Sequence, residues 1–207
     1  MNDNDLKWEE YLISGTNVLK NKFNIVEREE LIKKEIEITF EKLLELQLSP
    51  VCMNFDEEHL KAIHKYLFED IYYFAGEYRN VYMVKNNSYF ASVDEIPFRL
   101  RILFEQKEKE INTVYDEYHF ACFLAGFYVE LLNIHPFREG NGRTIREFIR
   151  EYANEKSKDK SFGEIDFNWA NVDIEVIHEF IDKASAFRSI IELEFMKAFE
   201  KKTSYIK

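Results

Sequence analysis

The stretch from Tyr118 to Asn133 constrains this chain more than any other. It is apolar on nearly every face, with Glu130 its single acidic residue. A helix with no polar side must be enclosed by other elements, so this segment predicts a buried helix in the middle of a domain. Its length falls short of the roughly 20 residues needed to cross a bilayer, and no other apolar run is longer. Around it the hydrophobic rhythm is helical. From Glu27 to Gln47 the apolar positions are Leu31, Ile32, Ile36, Ile38, Leu43, Leu44 and Leu46, ending at Ser49-Pro50. From Asp56, a natural N-cap, to Tyr73 they are Leu60, Ile63, Leu67, Phe68 and Ile71, with His64 among them, and Gly76 closes the stretch. Further helices are predicted over Ile96 to Ile111, Arg143 to Asn154 and from Val172 onward.

Only Asn80 to Phe90 changes character. Val81-Tyr82-Met83-Val84 and Ser88-Tyr89-Phe90 read as two short strands about a Lys85-Asn86-Asn87 turn. With 207 residues, 46% of them apolar, and only six Gly and three Pro, the chain is expected to form one domain, residues 11–207, behind an N-terminal extension, residues 1–10. The predicted class is mainly α, a helical bundle with a short β-hairpin. A net charge of −11 argues against nucleic acid as a partner, so any polyanion must bind at a local site. Cys52 and Cys122 stand apart, without zinc or redox spacing, and read as reduced thiols. Met1 to Glu10 lacks the basic start and apolar core of a signal peptide; the expectation is a cytoplasmic protein with no membrane partner.

Chemistry concentrates in His135-Pro136-Phe137-Arg138-Glu139-Gly140-Asn141-Gly142-Arg143-Thr144-Ile145-Arg146. Ile145, Phe148, Ile149 and Tyr152 have helical spacing, which puts Gly140-Asn141-Gly142 at a helix N-terminus, where backbone N–H groups lack intrahelical acceptors. Such an end attracts anions. Arg143 and Arg146 nevertheless lie in the first turn, where each opposes the helix dipole at about 0.3–1 kcal/mol, a cost that a bound polyphosphate reverses. Spaced by three, they share one side of the helix. Glu139 is a hard oxygen ligand suited to Mg²⁺ on phosphate oxygens, and His135 is placed to act as a general base. His59, His64, His119 and His178 show no ligand spacing and read as structural. The P-loop pattern Gly-x-x-x-x-Gly-Lys-Ser/Thr is absent.

Every specified position of this run matches His-Pro-Phe-x-Asp/Glu-Gly-Asn-Gly-Arg-x-x-Arg, and the chain therefore resembles the Fic family of protein adenylyltransferases. Ser14 to Lys22, Ile63 to Phe68, Ile71 to Gly76, the hairpin and Asn168-Trp169 resemble further landmarks, so that the likeness runs from about Tyr11 to Phe195. The resemblance implies that His135 takes a proton from a Ser, Thr or Tyr hydroxyl of a target protein, which attacks the α-phosphate of ATP. By the same likeness Glu139 holds Mg²⁺, while Gly140, Asn141 and Gly142 form an anion nest. Arg143 steadies the phosphate chain, Arg146 binds the γ-phosphate, and Lys85 lies near the nucleotide. Residues 79–90 become a flap whose Val81, Tyr82, Met83 and Val84 dock the target by strand addition.

Alternative readings keep the site but remove AMP, or use UTP, GTP or CDP-choline, or leave an idle docking module of a toxin–antitoxin pair. Many family members carry an inhibitory Ser/Thr-x-x-x-Glu-Gly/Asn helix whose glutamate pairs with the arginine matching Arg146. Here only Thr113 has a Glu four residues on, Glu117, followed by Tyr118 at the start of the buried helix. The expectation is accordingly a separate antitoxin-like inhibitor, and no glutamate paired with Arg146 in this chain.

Overall fold

The computed structural model describes residues 3–51, 53–85, 88–180 and 184–201. Along the chain the elements are α1 (Asp3–Glu10), α2 (Arg28–Leu48), α3 (Glu57–Phe68), β1 (Val84–Lys85), β2 (Ser88–Tyr89), α4 (Ile96–Glu110), α5 (Glu117–Ile134), α6 (Asn141–Lys156), β3 (Ile165–Phe167), α7 (Ile174–Phe180), α8 (Ala184–Lys197) and β4 (Phe199–Lys201). The mainly helical class is as the sequence predicts. Two compact units emerge: Met1–Phe98 with Ile134–Thr144, and Arg99–Asn133 with Ile145–Lys207.

In the first unit the backbone of residues 11–20 folds back on itself around Gly15, with Ile13 N donating to Val18 O and Lys20 N to Tyr11 O, both within 2.9 Å. Asn21, 3% exposed, fixes the exit of this turn: its amide donates to Leu19 O and Ile25 O and accepts from Ile25 N. α3 starts where expected, with the Asp56 side chain accepting from His59 N. It ends at Phe68, short of the predicted Tyr73, and Gly76 takes a left-handed φ of +84°. Leu60, Ile63, Leu67, Phe68, Ile71 and Val81 are fully buried.

α2 departs from its expected face. Ile32, Ile36, Phe40, Leu44 and Leu48 are exposed, whereas the buried line reads Leu31, Glu35, Thr39 and Leu46. The reason is polar: Glu35 and Thr39 have partners inside the unit that apolar side chains would not provide.

Strand structure also differs. β1 and β2 contain two residues each, registered Val84↔Tyr89 and Lys85↔Ser88. Lys85 thus belongs to a strand, not to the turn, while Asn86, Asn87 and Cys52 lie outside the described residues.

In the second unit α5 is as buried as its composition demands. Phe120, Leu124, Phe127, Tyr128 and Leu131 have no exposed surface, each contributing about 1.5–3 kcal/mol of burial. Phe127 meets Phe104, Phe148 and Tyr152 edge-on at 5.4–5.7 Å. A second antiparallel pair, β3 with β4, joins Ile165↔Lys201 through Phe167↔Phe199, which the sequence reading does not anticipate. Trp169 donates its indole N–H to Arg146 O at 2.8 Å and stands edge-on to Phe195, tying the Asn168-Trp169 segment to α6. Among the described residues no helix is long and apolar enough to cross a membrane.

Candidate active site

His135 follows the last residue of α5 and adopts a left-handed φ of +52°, a conformation that needs support from its surroundings. Arg79 supplies it. This residue is 2% exposed, and its guanidinium donates to His135 O at 2.8 Å, Ile134 O at 3.3 Å, Val81 O at 2.7 Å and Ala91 O at 2.6 Å. Its own N–H donates to Pro136 O. One buried cation therefore gathers the carbonyl end of a helix and both roots of the hairpin, an arrangement favoured by the helix dipole. Burial lowers the Arg79 pKa only to about 10, so it stays charged at neutral pH. From the hairpin, Phe90 stacks on the His135 ring with centroids 3.9 Å apart.

The loop after His135 is closed by its own residues. Asn141 Oδ1 accepts from Phe137 N at 2.8 Å, and Asn141 Nδ2 donates to Phe137 O at 2.7 Å. Phe137 is fully buried, and the His64 ring stacks on it at 3.9 Å. Gly76 N–H donates to His64 Nδ1, which leaves Nε2 to carry the proton and donate to Glu139 O at 3.0 Å. Burial pushes the His64 pKa down to about 4, so the ring is a neutral brace.

α6 opens with Thr144 N donating to Gly140 O. The amides of Asn141, Gly142 and Arg143 precede that first intrahelical bond, at the end of the helix where N–H groups have no intrahelical acceptor. Gly140 contributes differently from expectation: its N–H donates to Glu139 Oε1 at 2.9 Å, so the open amides begin at Asn141. The Asn141 side chain, committed to Phe137, serves the loop, which leaves its backbone for an anion. Gly140 itself is required. At φ +79°, an added Cβ would lie 2.2 Å from Phe68 Cζ.

Arg143 is caged. Its Nη2 pairs with Glu35 Oε1 at 2.5 Å, its Nη1 donates to Thr39 Oγ1 at 3.2 Å, and its guanidinium lies 4.8 Å from the Phe68 ring centroid. Glu35 Oε2 accepts from the Tyr72 hydroxyl. Glu139 Oε1 stands 3.8 Å from Arg143 Nη2, and its side chain is 40% exposed. A cavity of about 340 Å³ is lined by Glu35, Tyr72, Arg138, Glu139 and residues 17–19, with Arg28, Leu31 and Ile32. Arg146 belongs to the second unit, and among the described residues no carboxylate forms an ion pair with its side chain; Glu147 pairs with Arg150.

The flap is more restricted than the sequence suggests. Val81 is fully buried and anchors it. Phe90 N donates to Met83 O, so the Met83 backbone turns inward toward β2 and those of Tyr82 and Val84 turn outward. α1 already holds the first of these: Tyr82 N donates to Asn4 Oδ1 at 2.8 Å, and Trp8 Nε1 donates to Tyr82 O at 3.2 Å. Trp8 also stacks against Arg138, 4.1 Å from its guanidinium. The Lys85 side chain lies outside what is described, and only its backbone position in β1 is fixed. Sequence reasoning missed Arg79, Glu35 and the action of α1; the Glu-x-x-x-Thr pair within the apolar pattern of α2 was the one available signal, since the partners of Arg79 are backbone carbonyls.

A half-buried histidine leading into a helix N-terminus, with a caged arginine in the first turn, defines a Fic-type site. A sequence profile of the Fic/DOC family matches residues 54–153. Protein adenylyltransferase VbhT of Bartonella schoenbuchensis is 37% identical over 146 residues, covering 70% of this chain and 30% of VbhT. The chain thus spans less than a third of that relative. The protein y4lH of Sinorhizobium fredii is 32% identical over 137 residues, covering 65% of this chain and 70% of y4lH. Among solved structures, Bartonella tribocorum BepC, crystallised with bound AMPPNP, superposes with a TM-score of 0.80 at 21% identity, over 94% of this chain and 98% of the solved BepC chain. This chain belongs to the Fic/DOC family.

Proposed function

We propose that this chain is a protein adenylyltransferase that transfers AMP from ATP to a hydroxyl group of a target protein. The observation that carries the reading is the continuity of His135, held in its strained turn by Arg79 and Phe90, with the open amides of residues 141–143 and the caged Arg143. The names of relatives such as VbhT support the same chemistry.

In the reaction, the target hydroxyl oxygen attacks the α-phosphorus of ATP as His135 accepts its proton. A new phosphorus–oxygen bond forms, the bond from the α-phosphorus to the oxygen bridging to the β-phosphate breaks, and pyrophosphate leaves. The amides of Asn141, Gly142 and Arg143 and the Arg143 guanidinium stabilise charge on the phosphates, and Arg146 is the residue assigned to the γ-phosphate. Mg²⁺ fits the donor set, because Glu139 is partly exposed and, among the described residues, its Oε2 accepts no hydrogen bond, and magnesium commonly takes one carboxylate beside phosphates; bound there, it would supply charge neutralisation at the phosphate oxygens.

Val84 is the outward flap position left for an extended target segment, and Tyr82 joins it once its two bonds to α1 are displaced. Cytoplasmic residence and restraint by a separate antitoxin-like protein belong to the same reading. The latter is motivated by Arg146, which has no paired glutamate among the described residues. The test is incubation with α-labelled ATP, Mg²⁺ and host lysate. Label on protein that disappears in His135→Ala supports the assignment; release of AMP from a pre-modified protein, with no incorporation, would replace it with the reverse chemistry.

A further inference from the structure

α2 has its apolar side outward. Five large side chains repeating every fourth residue, Ile32, Ile36, Phe40, Leu44 and Leu48, are 44–89% exposed, while a carboxylate and a hydroxyl, Glu35 and Thr39, are 8% and 2% exposed. A helix selected only to cover a core would be turned the other way. Burying Glu35 and Thr39 is costly unless each is paired, and both pair with the same group, the Arg143 guanidinium.

We propose that Glu35 is a positioning residue for Arg143, and that the inward polar line of α2 exists to fix this arginine before nucleotide arrives. The inference rests on the adenylyl-transfer reading, in which Arg143 steadies the phosphate chain.

Three groups hold the guanidinium, with the Glu139 carboxylate 3.8 Å from Nη2 as a fourth neighbour. Glu35 Oε1 takes Nη2, Thr39 Oγ1 takes Nη1, and the Phe68 ring lies beneath. Glu35 is itself held by the Tyr72 hydroxyl, so the carboxylate does not swing with its partner. Burial raises the pKa of that hydroxyl, which keeps it a donor. Among the described residues two of the five Arg143 N–H groups are engaged in hydrogen bonds, and the side chain keeps 21% exposure, which leaves donors for a phosphate. An arginine otherwise loses substantial rotamer freedom on binding; a cage removes that cost in advance.

The test is a double-mutant cycle on ATP binding in the full chain carrying His135→Ala, which prevents turnover. Calorimetry with ATP and Mg²⁺ compares this parent with Glu35→Gln, Arg143→Ala and the pair. Glu35→Gln and Arg143→Ala are each expected to weaken ATP about tenfold, and the pair to bind no more weakly than Arg143→Ala alone, a coupling of about tenfold. In the His135 protein, Glu35→Gln should raise KM for ATP while leaving KM for the target protein unchanged. Thr39→Val, which keeps the shape of α2, should weaken ATP by about threefold and reads the same cage if Arg143→Ala does not fold. The inference is overturned if the Glu35→Gln loss persists undiminished without Arg143, if ATP affinity is unchanged, or if Glu35→Gln binds ATP more tightly, as release of a restraining clasp would require. Failure of the parent to bind any nucleotide would instead bring down the transfer reading, and this inference with it.

Discussion

At the scale of single residues, the site depends on positions with little freedom. Gly140 needs both its positive φ and its missing Cβ, because the ring that a side chain would strike, Phe68, is fully buried and also lies under Arg143. Gly140→Ala is expected to destabilise the chain by about 2–4 kcal/mol in urea denaturation and to reduce labelling by roughly two orders of magnitude; near-normal labelling would mean that the loop is not held against Phe68. Arg79 is the second such position. Its Nε, Nη1 and Nη2 reach four carbonyls, a planar spread that a single ammonium does not reproduce. Arg79→Lys should cost about 2 kcal/mol of stability and lower kcat more than KM for ATP, since His135 and the flap roots loosen together while the helix N-terminus is untouched. Equal kcat values for the two proteins would remove Arg79 from the positioning of His135. Neither role was legible in advance. The motif names His135 and Gly140, but the partners of Arg79 are backbone carbonyls, which have no identity in a sequence.

Among the elements, legibility follows the length of the pattern. α5 and α6 repeat their rhythm over four turns or more and fall within two residues of expectation. The β3–β4 pair consists of three residues each, far apart in the chain, and carries no local signal. α2 misleads for a different reason: periodicity locates apolar residues, and here a polar requirement outweighs them. α1 differs most from its reading as a bare extension, since it occupies Tyr82, one of two outward backbone positions on the flap. An incoming target strand would have to replace both hydrogen bonds. Deleting residues 1–10 is therefore expected to raise target labelling by about fivefold or more through a lower KM for the target, the two hydrogen bonds together being worth at least about 1 kcal/mol. A fall in labelling, with folding intact, would show that α1 helps to form the docking surface instead.

Across the whole molecule, the motif was legible because its residues are contiguous, whereas its supports come from distant sequence: Glu35 lies 108 positions from Arg143, and His64 lies 75 from Glu139. His64 ties this long-range assembly to pH. Its pKa falls from an ordinary 6.5 to about 4 in the fold, chiefly through burial, with the nearby Arg143 charge adding to the effect. The unfolded chain therefore binds more protons than the folded one between those values, and stability must rise with pH across that window. Acidification from pH 7 to pH 4 should remove roughly 3 kcal/mol through this residue alone. Glu147 works in the opposite direction, because burial raises its pKa and favours the protonated fold as pH falls. The contribution of His64 is isolated by difference: urea denaturation of the native chain and of His64→Gln at pH 7, 5.5 and 4. A glutamine amide can replace one of the two bonds but does not titrate, so the variant should begin less stable at pH 7 and lose less on acidification. The two curves should converge toward pH 4. Parallel curves would mean that the ring is not held neutral between Gly76 and Glu139, and that the brace beneath the loop from His135 to Gly140 is something other than His64.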